Sequence, residues 1–390
     1  MRVLLLNQFF WPDNAPTGVL LEDVARALVA RGCDVTVLCG RAAYVDARDE
    51  ARPPVAILRT GAPTYSRGAF ERMSNWLSFL AGAFWRSIAS RRYDLVVALT
   101  SPPGLSVIAA AVCWLRGGRF WIWEMDVYPD VANATGVVSE RSLLSRFAGA
   151  VLDWSRRRAA GVIALGECMR ERLLAHRLDP QKVHVVENWV DGRLLSPLPM
   201  PACPPLTVLY SGNFGVPHET RTIEQALVRL RGRDDIRFVF TGGGVRWKEM
   251  QRFCESEHIT HAEFRGYVDR SLLGESFGAC HIGLVTLRPE CVGTVVPSKA
   301  YAFLAAGRPF LFIGPASCAT ARLAREGCGW AREAGDADGV VSLLESLRAN
   351  PSQIEQAGAR ARQLFEERYD APAGAARVVS LLLNTGGPSD

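Results

Sequence analysis

The sequence predicts an α/β protein folded as two doubly wound halves. Three observations predict it. Short apolar runs alternate with segments of helical periodicity along the whole chain, the pattern of βαβ units and a parallel sheet. The chain has 390 residues, which exceeds one ordinary core and fits two domains of roughly 180–200 residues. Near the middle, the stretch LLSPLPMPACPP at 194–205 breaks the rhythm. Clustered prolines suit an extended linker and cannot lie inside a helix or a central strand.

In the first half, Val3 to Leu6 reads as a buried strand, followed by a loop to Gly18 and an amphipathic helix from about Val19 to Arg31. Gly32 stops that helix. Further strands are expected at 35–39, 55–59, 95–99, 119–124, 161–165 and 182–187. The second half restarts with a strand at 207–211 and a helix near 222–231, then strands at 237–241, 262–265, 282–285 and 309–313. A closing helix, about Pro372 to Leu383, has an apolar face suited to packing back on the first half. The expected organisation is therefore an N-terminal domain over 1–192, a linker over 193–205, a C-terminal domain over 206–368 and a returning helix over 369–390.

Composition narrows the class. Hydrophobic residues make up 48% of the chain and charged residues 22%, a globular balance and not a disordered one. A net charge of +5 from scattered arginine is small for this length and does not mark a nucleic-acid binder. The ten cysteines are spread singly without a Cys-x-x-Cys pair, as in reduced core thiols of the cytosol and unlike a disulfide frame or zinc site. His258 and His261 read as part of a polar loop, and no D-x-D arrangement suggests a metal. The first residues, MRVLLLNQFF, stop at WPDNAP, too soon for a signal peptide. No run of about twenty apolar residues is present to cross a bilayer, so a cytoplasmic protein is expected.

Three strand-to-helix junctions carry glycine: Asn7 to Gly18, SGNFG at 211–215, and TGGG at 241–244. Glycine after a parallel strand lets backbone approach a ligand and turns the free amides of the next helix toward an anion. None of the three fits G-x-G-x-x-G with a later acid, and no G-x-x-x-x-G-K-[ST] loop occurs. Dehydrogenases and P-loop enzymes are therefore disfavoured. Glycine loops in both halves favour a nucleotide held between them. The most informative stretch is RPECVGTVVPSKAYAFLAAGRPFLFIG at 288–314. Its Pro297-Ser298-Lys299 leads into a short helix, where free amides and the Lys299 ammonium would clamp a phosphate.

The run VPSKAYAFLAAGRP at 296–309 resembles the donor-site element of retaining glycosyltransferases of family 4, which have the GT-B fold of two Rossmann-like domains facing across a cleft. YSGNFGVPHET at 210–220 is similar to the glycine loop opening their donor domain. TGGGVRWKEM at 241–250 and FRGYV at 264–268 fall where the next two signatures lie. WEMDVYPDVANATG at 123–136 and VENWVDGRLLSP at 186–197 resemble segments of the branch that contains colanic-acid and fucosamine transferases of bacterial surface polysaccharides. The resemblance covers nearly the whole chain in the family's order.

It implies transfer of a hexosyl or N-acetylhexosaminyl group from a nucleoside-diphosphate sugar, a UDP-sugar first, with retained configuration and no metal or other cofactor. The implied acceptor is a hydroxyl of a lipid-linked or other saccharide in polysaccharide or lipopolysaccharide assembly. The implied donor contacts are Gly18, Gly212, Asn213, Gly215, His218, Gly243, Lys248, Tyr267, Val268, Pro297, Ser298 and Lys299. The chain also departs from the family pattern. The two glutamates usual there fall on Thr294 and Ala302, and Asn213 stands where an arginine is usual. Glu290 is the nearby acid that can reach sugar hydroxyls, and Arg221, Lys248 and Lys299 are the candidate cations, Lys299 foremost. Asp126 and Asp130 follow the aromatic strand FWIWE, where a carboxylate can orient or deprotonate an acceptor hydroxyl or cap the next helix. Asp126 is taken as catalytic and Asp130 as an acceptor contact, with Glu124 a weaker third.

Residues 66–92 place Phe70, Trp76, Leu77, Leu80 and Phe84 on one helical face between basic ends. Such a helix can lie on an anionic bilayer or pack in a core. The residues leave both open, and the resemblance favours peripheral attachment at the inner face of the plasma membrane. Two competing functions share the architecture: a UDP-sugar 2-epimerase, and an inactive nucleotide-sugar-binding subunit.

Overall fold

A computed structural model describes residues 1–41, 51–61 and 69–384. The chain divides into two compact units, Met1–Glu187 joined by the segment from Ala371, and Asn188–Asp370. In the first unit the order is β1 (Arg2–Leu6), α1 (Pro16–Ala30), β2 (Asp34–Cys39), β3 (Ala56–Arg59), α2 (Ala69–Ala89), β4 (Leu95–Leu99), α3 (Leu105–Arg116), β5 (Arg119–Trp123), α4 (Asp130–Ala134), α5 (Leu143–Arg158), β6 (Gly161–Ala164), α6 (Glu167–Ala175) and β7 (Val183–Val185). The seven strands form one parallel sheet, ordered β3-β2-β1-β4-β5-β6-β7.

The second unit contains β8 (Leu206–Asn213), α7 (Arg221–Arg229), β9 (Ile236–Gly243), α8 (Val245–Ser256), β10 (Ala262–Arg265), α9 (Leu273–Gly278), β11 (Ile282–Thr286), α10 (Lys299–Ala305), β12 (Phe310–Ile313), α11 (Ala319–Leu323), β13 (Gly329–Arg332), α12 (Ala337–Ala349) and α13 (Ser352–Leu364). Its six strands are also parallel, ordered β10-β9-β8-β11-β12-β13. The last helix, α14 (Ala371–Asn384), packs against α1 in the first unit, and the Leu382 carbonyl accepts from Arg119 Nη2 at 2.9 Å.

The central strands are apolar on both faces because helices cover both sides of a parallel sheet. Leu4, Leu5, Val97 and Ile122 are fully buried in the first unit, as are Val208, Phe240 and Phe312 in the second. One glycine sets the packing of the first sheet. Gly161 pairs with Trp121 across β5 and β6. A Cβ at 161 would lie 2.4 Å from the indole, which instead passes over the glycine and stacks on His184 at 5.3 Å.

Three expectations change. Strand β13 was not read from the sequence, because GWAR is short, half-buried and without alternation. His261 is buried at the entry to β10 and packs edge-on against Phe238, so it is a core histidine and not part of a polar loop. The proline-rich stretch lies along the second unit. There Arg308 Nη2 donates to the Pro199 carbonyl at 2.9 Å, and His281 Nε2 meets the Pro201 carbonyl at 3.2 Å. Residues 66–68 of the expected basic helix, and the Phe70 side chain, fall outside the described residues. All ten cysteines are free and eight are buried.

Substituting Gly161→Ala forces the Trp121 indole off its seat. Overpacking of this kind costs about 1–3 kcal/mol, so urea unfolding should show the first unit weakened by that amount.

Candidate active site

In an open parallel sheet, the crevice lies where neighbouring strands send their connections to opposite faces. In the second unit that point is between β8 and β11. The loops leaving these two strands meet there: the Arg288 amide donates to the Pro217 carbonyl at 2.8 Å, and His218 Nδ1 lies 3.0 Å from the Thr286 carbonyl.

The glycines allow close backbone packing at this point. Gly242 has φ +119, and a Cβ on it would sit 2.1 Å from the Gly212 carbonyl oxygen. A side chain on Gly242 would drive β8 and β9 apart. Gly212, with φ +115, leaves room for Lys299, whose Cε would be 3.3 Å from a Cβ there. The Phe214 amide bonds the Gly243 carbonyl at 2.7 Å and joins the two glycine turns.

Lys299 opens α10 and lays its ammonium 5.3 Å above the Tyr210 ring. Nζ also lies 3.4 Å from His218 Nε2. The Thr286 carbonyl can only accept, so His218 Nδ1 carries the proton and Nε2 presents its lone pair. Lys299 is therefore the donor to a neutral imidazole. Burial, and then the adjacent Lys299, lower the His218 pKa to about 3, while burial lowers that of Lys299 to about 8. The Tyr210 hydroxyl donates to the Asn213 carbonyl at 2.8 Å, and burial pushes its pKa up. No carboxylate among the described residues pairs with Lys299. A cation confined this way lacks an anionic partner of its own.

The remaining second-unit residues distribute as follows. Asn213 is exposed at the end of β8, and Gly215 follows in the turn. The Tyr267 ring lies against Gly243, within 3.0 Å of a Cβ placed there, yet the residue is 69% exposed. Val268 is half-buried beside it, Pro297 is buried, and Ser298 is exposed with no side-chain cap. Arg221 and Lys248 are exposed on α7 and α8. Glu290 turns toward Arg288 at 3.4 Å and is largely open to solvent. Thr294 is buried, with its hydroxyl on the Cys291 carbonyl. No group of three His, Cys, Asp or Glu among the described residues could hold a metal ion.

In the first unit the order reverses between β1 and β4. Thr100, just after β4, accepts from the Met125 and Asp126 amides and so seats the loop that follows β5. Burial, and secondarily Glu124, raise the Asp126 pKa to about 6. Glu124 itself is buried and takes Arg156 Nε at 2.7 Å. Arg156 also reaches Asp153 and the Tyr128 carbonyl, both at 2.9 Å. His176 bridges Asp153 and Asp130, and Arg172 completes Asp130 at 2.7 Å. Asp130 thus ties the 124–130 loop to α6. Gly18, buried in α1, accommodates the backbone of Phe9, whose carbonyl oxygen would lie 3.1 Å from a Cβ. The close approach visible there is to the chain itself.

The chain is similar to known glycosyltransferases. Residues 17–189 match the family model described as a glycosyl transferase 4-like domain. The probable glycosyltransferase WbjE of Pseudomonas aeruginosa is 22% identical over 290 residues, 72% of each chain. HepE of Anabaena, solved with UDP-glucose, superposes with a TM-score of 0.72 at 14% identity, covering 98% of this chain and 100% of that one. WaaG, a glycosyltransferase involved in lipopolysaccharide biosynthesis, gives 0.70 at 14% identity, covering 99% and 100%. The chain is a glycosyltransferase with the GT-B fold.

Within this glycosyltransferase, Gly212, Asn213, Gly215, His218 and Lys299 come together at one switch point, with Gly243 and Tyr267 beside them. Sequence reasoning missed Tyr210 and Thr286, which support His218 and Lys299. Tyr210 lies within β8 and Thr286 ends β11, each next to an apolar run, and nothing local separates them from core residues. It also missed Arg156, whose bond to Glu124 spans 32 positions, and His176, whose bonds to Asp153 and Asp130 span 23 and 46.

Hydrogen bonds that His176 donates to Asp130 and Asp153 raise its pKa to about 9. This contribution is complete below the ordinary histidine value near 6.5 and is lost as pH rises through about 9. The stability difference between the glycosyltransferase and His176→Asn should therefore be roughly 3 kcal/mol at most. In urea unfolding it should be largest below about pH 6.5 and absent above about pH 9.

Proposed function

We propose that this glycosyltransferase is a retaining enzyme that takes a sugar from a UDP-sugar and adds it to a hydroxyl of a lipid-linked saccharide in bacterial surface-polysaccharide assembly. The observation that carries the donor reading is the half-buried Lys299 ammonium, unpaired with any described carboxylate, above the glycine turn at the switch point of the second sheet. A nucleoside diphosphate supplies the missing negative charge. Lys299 and backbone amides would then stabilise the leaving group without a metal. The exposed Tyr267 ring beside Gly243 offers a face for the base, and Glu290 an acid for sugar hydroxyls.

For retention, the acceptor oxygen bonds to the anomeric carbon on the face the diphosphate leaves. The breaking bond's electron pair goes to the phosphate oxygen, which takes the acceptor proton. Asp126, with its pKa raised to about 6, can orient the acceptor by accepting a hydrogen bond from another of its hydroxyls, leaving the reacting O–H to the phosphate. HepE is solved with UDP-glucose, WaaG is named for lipopolysaccharide biosynthesis, and both support the donor class and the setting by likeness.

The acceptor reading is supported by the helical layer of the first unit, in which α3 lies beside both α2 and α5. This layer exposes Leu77, Trp85, Trp114, Leu143 and Phe147, with Trp114 83% exposed. Between Arg72 and Tyr93 there is no acidic residue. Apolar side chains among arginines suit peripheral attachment to an anionic bilayer on the cytoplasmic face, although no helix among the described residues is long and apolar enough to cross a membrane.

Melting shifts, UDP binding, turnover and vesicle flotation test these readings. UDP should raise the melting temperature more than GDP or dTDP, and Lys299→Ala should weaken UDP binding about tenfold or more, the scale of one charge-assisted hydrogen bond. Unchanged UDP binding by that variant would remove Lys299 from the donor site. Turnover separates the competing functions, since a binding subunit would not consume the donor and an epimerase would alter it without an acceptor. In flotation with anionic vesicles, Leu143→Ser combined with Phe147→Ser should leave most of the protein unbound. Equal flotation of the variant would refute the docking face.

A further inference from the structure

We propose that His218 is a positioning residue of the donor site: its neutral imidazole accepts a hydrogen bond from Lys299 and holds the ammonium over the 212–215 turn for a nucleoside diphosphate. This rests on reading that turn as the diphosphate site.

Four contacts fix the imidazole. Nδ1–H donates to the Thr286 carbonyl at 3.0 Å, with the Thr286 hydroxyl oxygen at 3.3 Å. The Tyr210 hydroxyl lies 3.2 Å from Nε2, and Phe214 packs edge-on at 5.2 Å. These partners belong to β8, β11 and the turn between β8 and α7, so the ring is held from both sides of the switch point. Nε2 can then face Lys299 only as an acceptor.

Lysine brings three donors on a flexible stem. With one N–H committed to Nε2, the other two remain for phosphate oxygens, and the stem stays against Gly212. A histidine that became charged here would repel Lys299, and burial keeps it neutral. The other charged groups nearby turn elsewhere. Glu219 accepts from the Thr222 amide and hydroxyl, and Arg288 meets Glu290. Tyr210 and Lys299 are the titratable groups that face the ring.

The experiment is calorimetric titration of UDP into the unaltered protein, into Lys299→Ala, and into two variants of His218, from about pH 6.5 to about pH 9.5. His218→Asn keeps a donor near the Nδ1 position and loses the acceptor at Nε2. His218→Gln puts an amide oxygen near Nε2 and restores it. Without an acceptor the charged form of Lys299 loses a stabilising hydrogen bond. The fall of UDP affinity with rising pH should therefore begin at lower pH in His218→Asn, with affinity about tenfold weaker near pH 8. In His218→Gln, affinity and profile should return toward those of the unaltered protein.

If neither the unaltered protein nor Lys299→Ala distinguishes UDP from buffer, the donor reading itself fails. If Lys299→Ala loses affinity while both His218 variants keep the original affinity and pH profile, the positioning role is wrong. A lower melting temperature in both variants with an unmoved profile would likewise overturn it, since that is the mark of a purely structural histidine.

Discussion

A half-buried ammonium with no described carboxylate beside it shapes the strand ends at the switch point of the second unit. Taking a charge out of water is costly unless it is paired and hydrogen-bonded, and Lys299 has only a lone pair from His218 and the face of Tyr210. The surroundings follow from this cation. Gly212 must lack a side chain because the lysine stem occupies that space. His218 must stay neutral because a second positive charge would face the first. Tyr210 must turn its hydroxyl to the Asn213 carbonyl, leaving the ring face to the lysine. The arrangement is suited to an anion that arrives from outside.

The first unit has the same sheet plan and opposite electrostatics. Its buried charges are paired in a chain, from Glu124 through Arg156, Asp153 and His176 to Asp130 and Arg172, with Glu124 Oε2 left without a hydrogen bond among the described residues. Such a chain is a framework: it fastens the loop after β5 to α5 and α6. Asp126 stands next to this framework without joining the chain of ion pairs, and burial raises its pKa to about 6. One loop thus carries a carboxylate held for structure and another left near neutrality, where proton-accepting chemistry is most effective.

The parts legible in the sequence were those encoded locally. Apolar runs placed twelve of the thirteen strands to within a few residues, because a parallel strand covered on both faces must be apolar throughout. Strand β13 escaped because an edge strand of four half-buried residues carries no such pattern. The glycine turns and the Pro297-Ser298-Lys299 element were legible for the same reason, since a backbone that must turn or approach closely requires particular residue types. His261 was misread because its neighbours are polar while its burial comes from Phe238 on another strand.

Residue order alone determined the two parallel α/β units and the glycine turns after β8 and β9, and it singled out Lys299 as a candidate cation. Only the tertiary structure decided what each charge meets. Lys299 and His218 are 81 positions apart, and Asp130 and His176 are 46 apart. Strand order brings each pair together, and no local pattern records that order. The physical reason is range: hydrophobic period and turn chemistry act over a few residues, whereas a buried charge is set by whatever the fold places within hydrogen-bonding distance.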